Sequence, residues 1–342
     1  MFATLLLVLA LVSTPVASPI AVDFTPDTTV VLTGEPIVSP LVTTDAIIVA
    51  LASGDVVALS LDGEPLWDTP LPAPASNALV LMDDLVLVPG EDGSLYVLDR
   101  ASGDIEETVV LASQPLVQPI VVEESLFVGD IRGTIHVVDR TDFRETNAIV
   151  VGSELYPGAV LVGDTIVVVA DTRVATAIDT QTQTVLWQSV LADNAFVLAT
   201  TPADEIVIGG EHGFVTLLAP TGEAIWQSAA GSLPVTDVTM TDSGVVVSLE
   251  DGMVVELDDA TGSVNWRSVA TSRVWFPTDQ CSESCLVMTD TGMLASLDVT
   301  DGAITPIVVV ATEVTVAPVL SAGRLVVPLT NGTLLIWNHA AE

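Results

Sequence analysis

The chain has 342 residues, half of them hydrophobic, and its 45 Asp and Glu against 8 Arg and no Lys leave a formal charge of −37. That field excludes duplex DNA and RNA as general partners, because affinity for polyphosphate comes chiefly from cations that neutralise it, and it disfavours anionic membrane surfaces. Hydrophobicity at this level also excludes intrinsic disorder, which needs few apolar residues beside high charge.

In chain order, the first feature is an apolar run over residues 5–12, followed by Ser13, Thr14 and Pro15 and by the small residues Ala17, Ser18 and Ala21. This pattern reads as a secretory signal, and the run is short of the roughly 20 apolar residues that a membrane span needs. The expectation is an exported chain in the periplasm, at the cell surface or in the medium. Residues 1–21 are then removed and residues 22–342 form one domain, with an uncleaved anchor as the alternative. The segment contains no cysteine to accept a lipid.

Beyond it a repeat begins. A glycine precedes a short apolar strand at Gly54, Gly93, Gly133, Gly213, Gly252, Gly292 and Gly332, and Arg173 fills the vacant slot, so the intervals run 39, 40, 40, 40, 39, 40 and 40. Both intervals of 39 arise from a turn shortened by one residue, before Gly63 and before Gly222. A turn is where a β-repeat absorbs length changes without shifting register. Each unit holds four short apolar runs without helical periodicity, and four strands per roughly 40 residues mark a β-propeller blade. The 321 residues left after the signal (342 − 21) accommodate eight blades of about 40 residues. The predicted fold is therefore all-β: a monomeric eight-bladed propeller of four-stranded blades. The last unit ends after its third strand, residues 334–338, while residues 28–33 precede the first unit without a blade of their own. These two segments are expected to pair and close the ring, because open ends would leave unpaired sheet edges.

The turn and fourth strand of the units bring a family into view, most clearly in AIDTQTQTVLW (177–187) and LDDATGSVNW (257–266). They resemble the pyrroloquinoline-quinone-like (PQQ-like) propeller repeat. Its aspartate slot holds Asp99, Asp139, Asp179, Asp258 and Asp298, its Thr-Gly is clearest at Thr221-Gly222 and Thr261-Gly262, and its tryptophan appears at Trp67, Trp187, Trp226 and Trp266. Glu107, Asn147 and Pro306 replace that tryptophan in other units. The resemblance implies a tryptophan docked between neighbouring blades and an aspartate that serves its own turn. It also implies one of two activities. Long members are quinone-dependent dehydrogenases that hold PQQ with calcium and use adjacent cysteines. Shorter members, close in size to this chain, include an outer-membrane assembly scaffold that binds partners and catalyses nothing. Cys281 and Cys285 are not adjacent and no insertion between units could form a cofactor lid, so a non-enzymatic scaffold or binding protein is expected, without cofactor. A PQQ-dependent oxidoreductase and a structural cell-surface module are the alternatives.

Candidate sites follow from the repeat. Loops joining one blade to the next share an end with the turns between second and third strands, and this end receives Arg132, Tyr156, Arg173, Phe196, His212, Arg273, Trp275 and Phe276. Aromatic and arginine side chains dominate binding hot spots, so this end is the expected binding face for a protein or an extracellular polymer. The opposite end receives Asp45, Asp83, Asp84, Glu123, Glu124, Asp164, Asp204, Glu205 and Asp242. His136, His212 and His339 lie in different units, which gives neither a catalytic triad nor the four ligands of a zinc site. In an exported chain, Cys281 and Cys285 are compatible with a local disulfide if a turn brings them together.

With 45 acids and no lysine, self-repulsion should make stability depend on salt. The Debye length falls from about 30 Å at 0.01 M to about 3 Å at 1 M, so the melting temperature should rise with NaCl across that range. Sodium sulfate controls for salt effects on apolar burial. A melting temperature indifferent to NaCl would show that the charge serves solubility alone.

Overall fold

Short Val-rich runs interrupted by glycine turns leave the backbone only extended segments and tight reversals, and the chain folds accordingly. The computed structural model describes residues 24–338 except 279, 280, 311 and 315, so the expected signal segment and His339 lie outside the described residues. The described residues form eight four-stranded antiparallel sheets. With strands lettered A to D from the inside outward, blade one comprises Leu41–Val42, Ala46–Ala50, Asp55–Ser60 and Pro65–Pro70. Blades two to seven repeat this order over 80–110, 120–150, 155–190, 195–229, 235–269 and 274–309.

Blade eight closes the ring. Its strands A to C are Val319–Ser321, Arg324–Pro328 and Thr333–Asn338, and its strand D is Thr28–Val31 from the start of the described chain. The register pairs Thr28 with Ile336 and Val31 with Thr333. It is extended by Leu32 N–H donating to the Gly332 carbonyl at 2.7 Å and Asn338 N–H donating to an Asp27 carboxylate oxygen at 2.7 Å. Phe24 stacks on Trp337 with ring centroids 5.8 Å apart.

Both faces of each inner strand are covered, which explains continuous apolar runs in place of alternation. Every residue of Ala46–Ala50 and of Gly244–Leu249 is buried. The core consists of layers between blades. Ile47, Val49 and Leu59 of blade one, for example, pack on Val326, Leu334 and Ile336 of blade eight.

At the outer wall, where blades diverge, the tryptophans bridge the gap. The indole N–H groups of Trp67, Trp187, Trp226 and Trp266 donate to the carbonyls of Arg100, Pro220, Asp259 and Val299 in the next blade's C–D turn, at 2.7–2.9 Å. Each indole lies against the glycine of that turn: Gly103, Gly222, Gly262 or Gly302. A Cβ there would overlap the ring, and the turn needs a positive φ, so glycine satisfies both demands. Where Glu107 and Asn147 stand in place of the tryptophan, the glycine is replaced too. Phe143 follows Glu107 and Gln183 follows Asn147 in these slots, both at positive φ, and Asn147 Nδ2 donates to Gln183 Oε1 at 3.0 Å. The turn aspartates accept backbone N–H groups. Those of Ser102, Thr141 and Thr182 hold the carboxyls of Asp99, Asp139 and Asp179, respectively, below the usual aspartate value.

A chain starting at Gly34 should lose the closing strand and expose the faces of blades one and eight. Val30 and Leu32 pack into that seam, and a fully buried side chain of this size is worth about 1.5–3 kcal/mol. The shortened chain should melt well below the parent and with lower cooperativity. Equal melting curves would contradict a closing role for this strand.

Candidate functional site

The blade-joining loops meet the B–C turns at one end of the ring, where backbone hydrogen bonds tie loop to turn in successive blades. The N–H groups of Ile131, Asp171, Glu211, Glu250, Asp290 and Thr330 donate to the carbonyls of Gln114, Glu154, Asn194, Pro234, Arg273 and Glu313 at 2.8–3.1 Å. Short loops with satisfied backbones present their side chains on a rigid frame.

Arg132, Arg173, Phe196 and His212 are exposed on this face, Phe196 to 50%. Arg173 occupies a glycine slot at φ 60° and reaches across to the Ala192 carbonyl (3.2 Å) in the loop that enters blade five. His212 is clamped by the buried Asp193, which accepts its backbone N–H at 2.6 Å and faces its Nδ1 at 2.7 Å. Tyr156 is half-buried and packs on the layer between blades four and five. Its hydroxyl pKa is raised, first by burial and then by the charges of Glu211, Asp171, Asp193 and Glu154. Arg273 is half-exposed and pairs with Glu250 at 3.5 Å.

Trp275 and Phe276 depart from the expectation of exposed contact residues. They are 7% and 6% exposed. Successive side chains of a strand point to opposite faces. Trp275 accordingly enters the layer with blade eight and Phe276 the layer with blade six.

The expected contrast between an arginine-and-aromatic end and an acidic end is also corrected. The acidic end holds arginines that clasp neighbouring blades: Arg100 pairs with Asp84 of its own blade and Asp45 of the preceding one, and Arg140 pairs with Asp83. The blade-joining face in turn carries Glu91, Asp171, Glu211, Glu250 and Asp290 at equivalent positions of five B–C turns. Their spacing of 80, 40, 39 and 40 residues made this row legible in the repeat. Asn194 Nδ2 donates to Glu211 Oε2 at 2.8 Å.

Clefts open on two sides of the ring among the described residues. One, of about 260 Å³, lies on the blade-joining face between blades seven and eight and is lined by Arg273, Trp275, Asp290, Thr291, Glu313 and Val314. The other, apolar, lies on the outer wall at the closure seam, between Val30–Thr33 and the Val57–Leu59 and Pro65–Asp68 segments.

The residues do not fit a quinone and calcium site. Cys281, in the A–B connection of blade seven, and Cys285, in strand B, are bonded to each other with Cα atoms 5.3 Å apart, at the opposite end from the first cleft. Among the described residues no three His, Cys, Asp or Glu side chains cluster closely enough to hold a metal ion. His136 is buried, with Nδ1 2.9 Å from Glu145 and Nε2 3.2 Å from Asp130, which ties strand C to strand D and to the B–C turn of its own blade.

The clamp on His212 generates a pH prediction. Its pKa is raised above the ordinary 6.5, first by the hydrogen bond to Asp193 and then by that group's charge. The pairing is therefore complete below pH 6.5 and lost as pH rises through the higher folded-state value. An NMR titration should place the His212 midpoint above 6.5 in the parent and nearer 6.5 in Asp193→Asn. A parent midpoint at or below 6.5 would refute the clamp.

The family model described as outer membrane protein assembly factor BamB matches residues 21–154 and 170–340. The unmatched gap contains the bulged strand A of blade four, whose register shifts between Leu155 and Ala159 beside Tyr156. No curated protein matches the sequence significantly. Among solved structures, BamB from Moraxella catarrhalis is similar with a TM-score of 0.75 at 18% identity, covering 93% of this chain and 98% of that one. The computationally designed protein Ika8 gives 0.76 at 18% identity, covering 90% and 98%. Sqt1 from Saccharomyces cerevisiae gives 0.77 at 9% identity, covering 93% and 100%. Such identities show a shared fold, whereas the family model spans most of the sequence itself. The chain belongs to the family described as outer membrane protein assembly factor BamB, a family of PQQ-like β-propellers.

Proposed function

We propose that this chain is an exported, non-enzymatic scaffold that holds a partner protein against its blade-joining face. The observation that carries the reading is the grouping on blades four and five of Phe196, half-exposed to water, with Tyr156, Arg173 and His212 on one rigid rim. Most large apolar side chains of this ring are used between blades. An aromatic exposed among arginine and histidine at a loop face has the composition of a binding hot spot. The family's description as an assembly factor supports a protein partner over an extracellular polymer. The charge of −37 favours a partner surface of positive potential, which speeds encounter and fixes orientation.

The test is quantitative capture of a stoichiometric partner from the envelope fraction by immobilised chain. Phe196→Ala combined with Tyr156→Ala should weaken capture by at least about tenfold. Asp204→Asn combined with Asp242→Asn, at the opposite end, should leave it unchanged. The reverse pattern would move the docking surface to the other end. Trp275→Ala is unsuitable, because Trp275 is a core residue.

A further inference from the structure

Among the described residues, three buried side-chain polar atoms have no hydrogen-bond partner within the protein: Arg100 Nε, Arg273 Nε and Asp290 Oδ1. Two of the three belong to residues lining the cleft between blades seven and eight. Buried polar atoms are nearly always paired, because leaving one unpaired costs its full desolvation. A donor and an acceptor are thus both unpaired within the walls of one cleft.

The charges point the same way. Arg273 is already paired with Glu250. Neither Asp290 nor Glu313 has a cation within ion-pair distance among the described residues. The cleft thus holds two uncompensated carboxylates beside one compensated guanidinium. Its remaining walls are Trp275 and Val314, both buried, with the Thr291 hydroxyl between turn and loop. The lining is pre-formed: Asp290 N–H donates to the Arg273 carbonyl at 3.1 Å and Val314 N–H to the Asp290 carbonyl at 2.9 Å. At about 260 Å³ the cleft lies below the roughly 300–1,000 Å³ of small-molecule pockets. It is sized for one side chain.

We infer that this cleft is the anchor point of the docking face and takes a basic side chain of the bound protein. The guanidinium or ammonium head sits between Asp290 and Glu313, and the aliphatic stem lies against Trp275 and Val314. A cationic anchor supplies the donors that the carboxylates lack, in a chain that has no lysine of its own. The inference rests on the reading of this face as the docking surface and names the chemistry that it recognises.

The test uses Nα-acetyl-arginine amide titrated into the purified chain and followed by NMR, with Nα-acetyl-citrulline amide as the neutral, similarly shaped control. The arginine probe should bind at least about tenfold more tightly than citrulline. Asp290→Asn and Glu313→Gln, both near-isosteric, should each weaken it by about tenfold, with melting temperatures close to the parent's, while Asp204→Asn at the opposite end leaves it unchanged. Equal affinity for both probes, no binding of either, or full binding by the two carboxylate variants would overturn the anchor. If that happens while partner capture still depends on Phe196 and Tyr156, the docking face stands and only the anchor fails. If the probe behaves as expected while capture ignores those aromatics, the anchor stands and the aromatic rim is not the docking surface.

Discussion

No blade of this ring can bury its own faces. A four-stranded sheet has two sides, and its inner strands are apolar on both. Each sheet is therefore stable only between two others, and the first and last must find each other. That constraint accounts for the strand exchange at the seam, where Thr28–Val31 completes the sheet of Thr333–Asn338. It also accounts for the tryptophan clamps, which hold blades together at the radius where they diverge and side chains alone would leave a gap. The exposed valines at the ends of strands D, Val31, Val110, Val150, Val190, Val269 and Val309, share one register but sit on separate blades. They are single residues, one to a blade, that suit an edge strand.

The same constraint disposes of the charge. With both faces of every blade occupied, the acids are largely confined to turns at the two ends and to the outer strands. The exceptions are satisfied locally. Glu256 is 2% exposed and accepts from Thr241 at 2.9 Å, Ser243 at 2.7 Å and Asn265 at 3.2 Å, so neutral donors stand in for a cation. At the end bearing the A–B and C–D turns, several of the few arginines act as clasps between blades, as Arg324 does for blade one by reaching the Leu61 carbonyl and Asp62. The blade-joining end retains arginines less engaged in such clasps. Its Arg132 is exposed, and its Arg273 pairs with Glu250 and lines a cleft with Asp290.

Chemistry at the blade-joining end follows from this division of labour. Backbone bonds between loop and turn make the surface rigid, and rigidity limits the entropy lost when a partner docks. The aromatic rim on blades four and five and the polar cleft between blades seven and eight lie at different points of one ring. A partner spanning both would be held in a single orientation, the useful property of a scaffold.

The period of 39 or 40 residues in the sequence alone determined the all-β class, the number of blades, the seam strand and the slots of the turn aspartates and docking tryptophans. It could do so because a propeller repeats one local problem eight times, and each copy reports the same answer. The row of turn acids was equally legible in that register. The sequence could not reveal which way Trp275 and Phe276 point. Trp275 ends a strand of only two residues, Val274–Trp275, and Phe276 follows it, a segment too short for alternation to set its own phase. Nor could it pair Arg100 with Asp45, 55 residues away, or gather Arg273, Asp290 and Glu313 around one cleft. Those meetings depend on the angle and spacing between adjacent blades. That geometry is set by how the side chains of two sheets interlock, and it has no periodic trace along the chain.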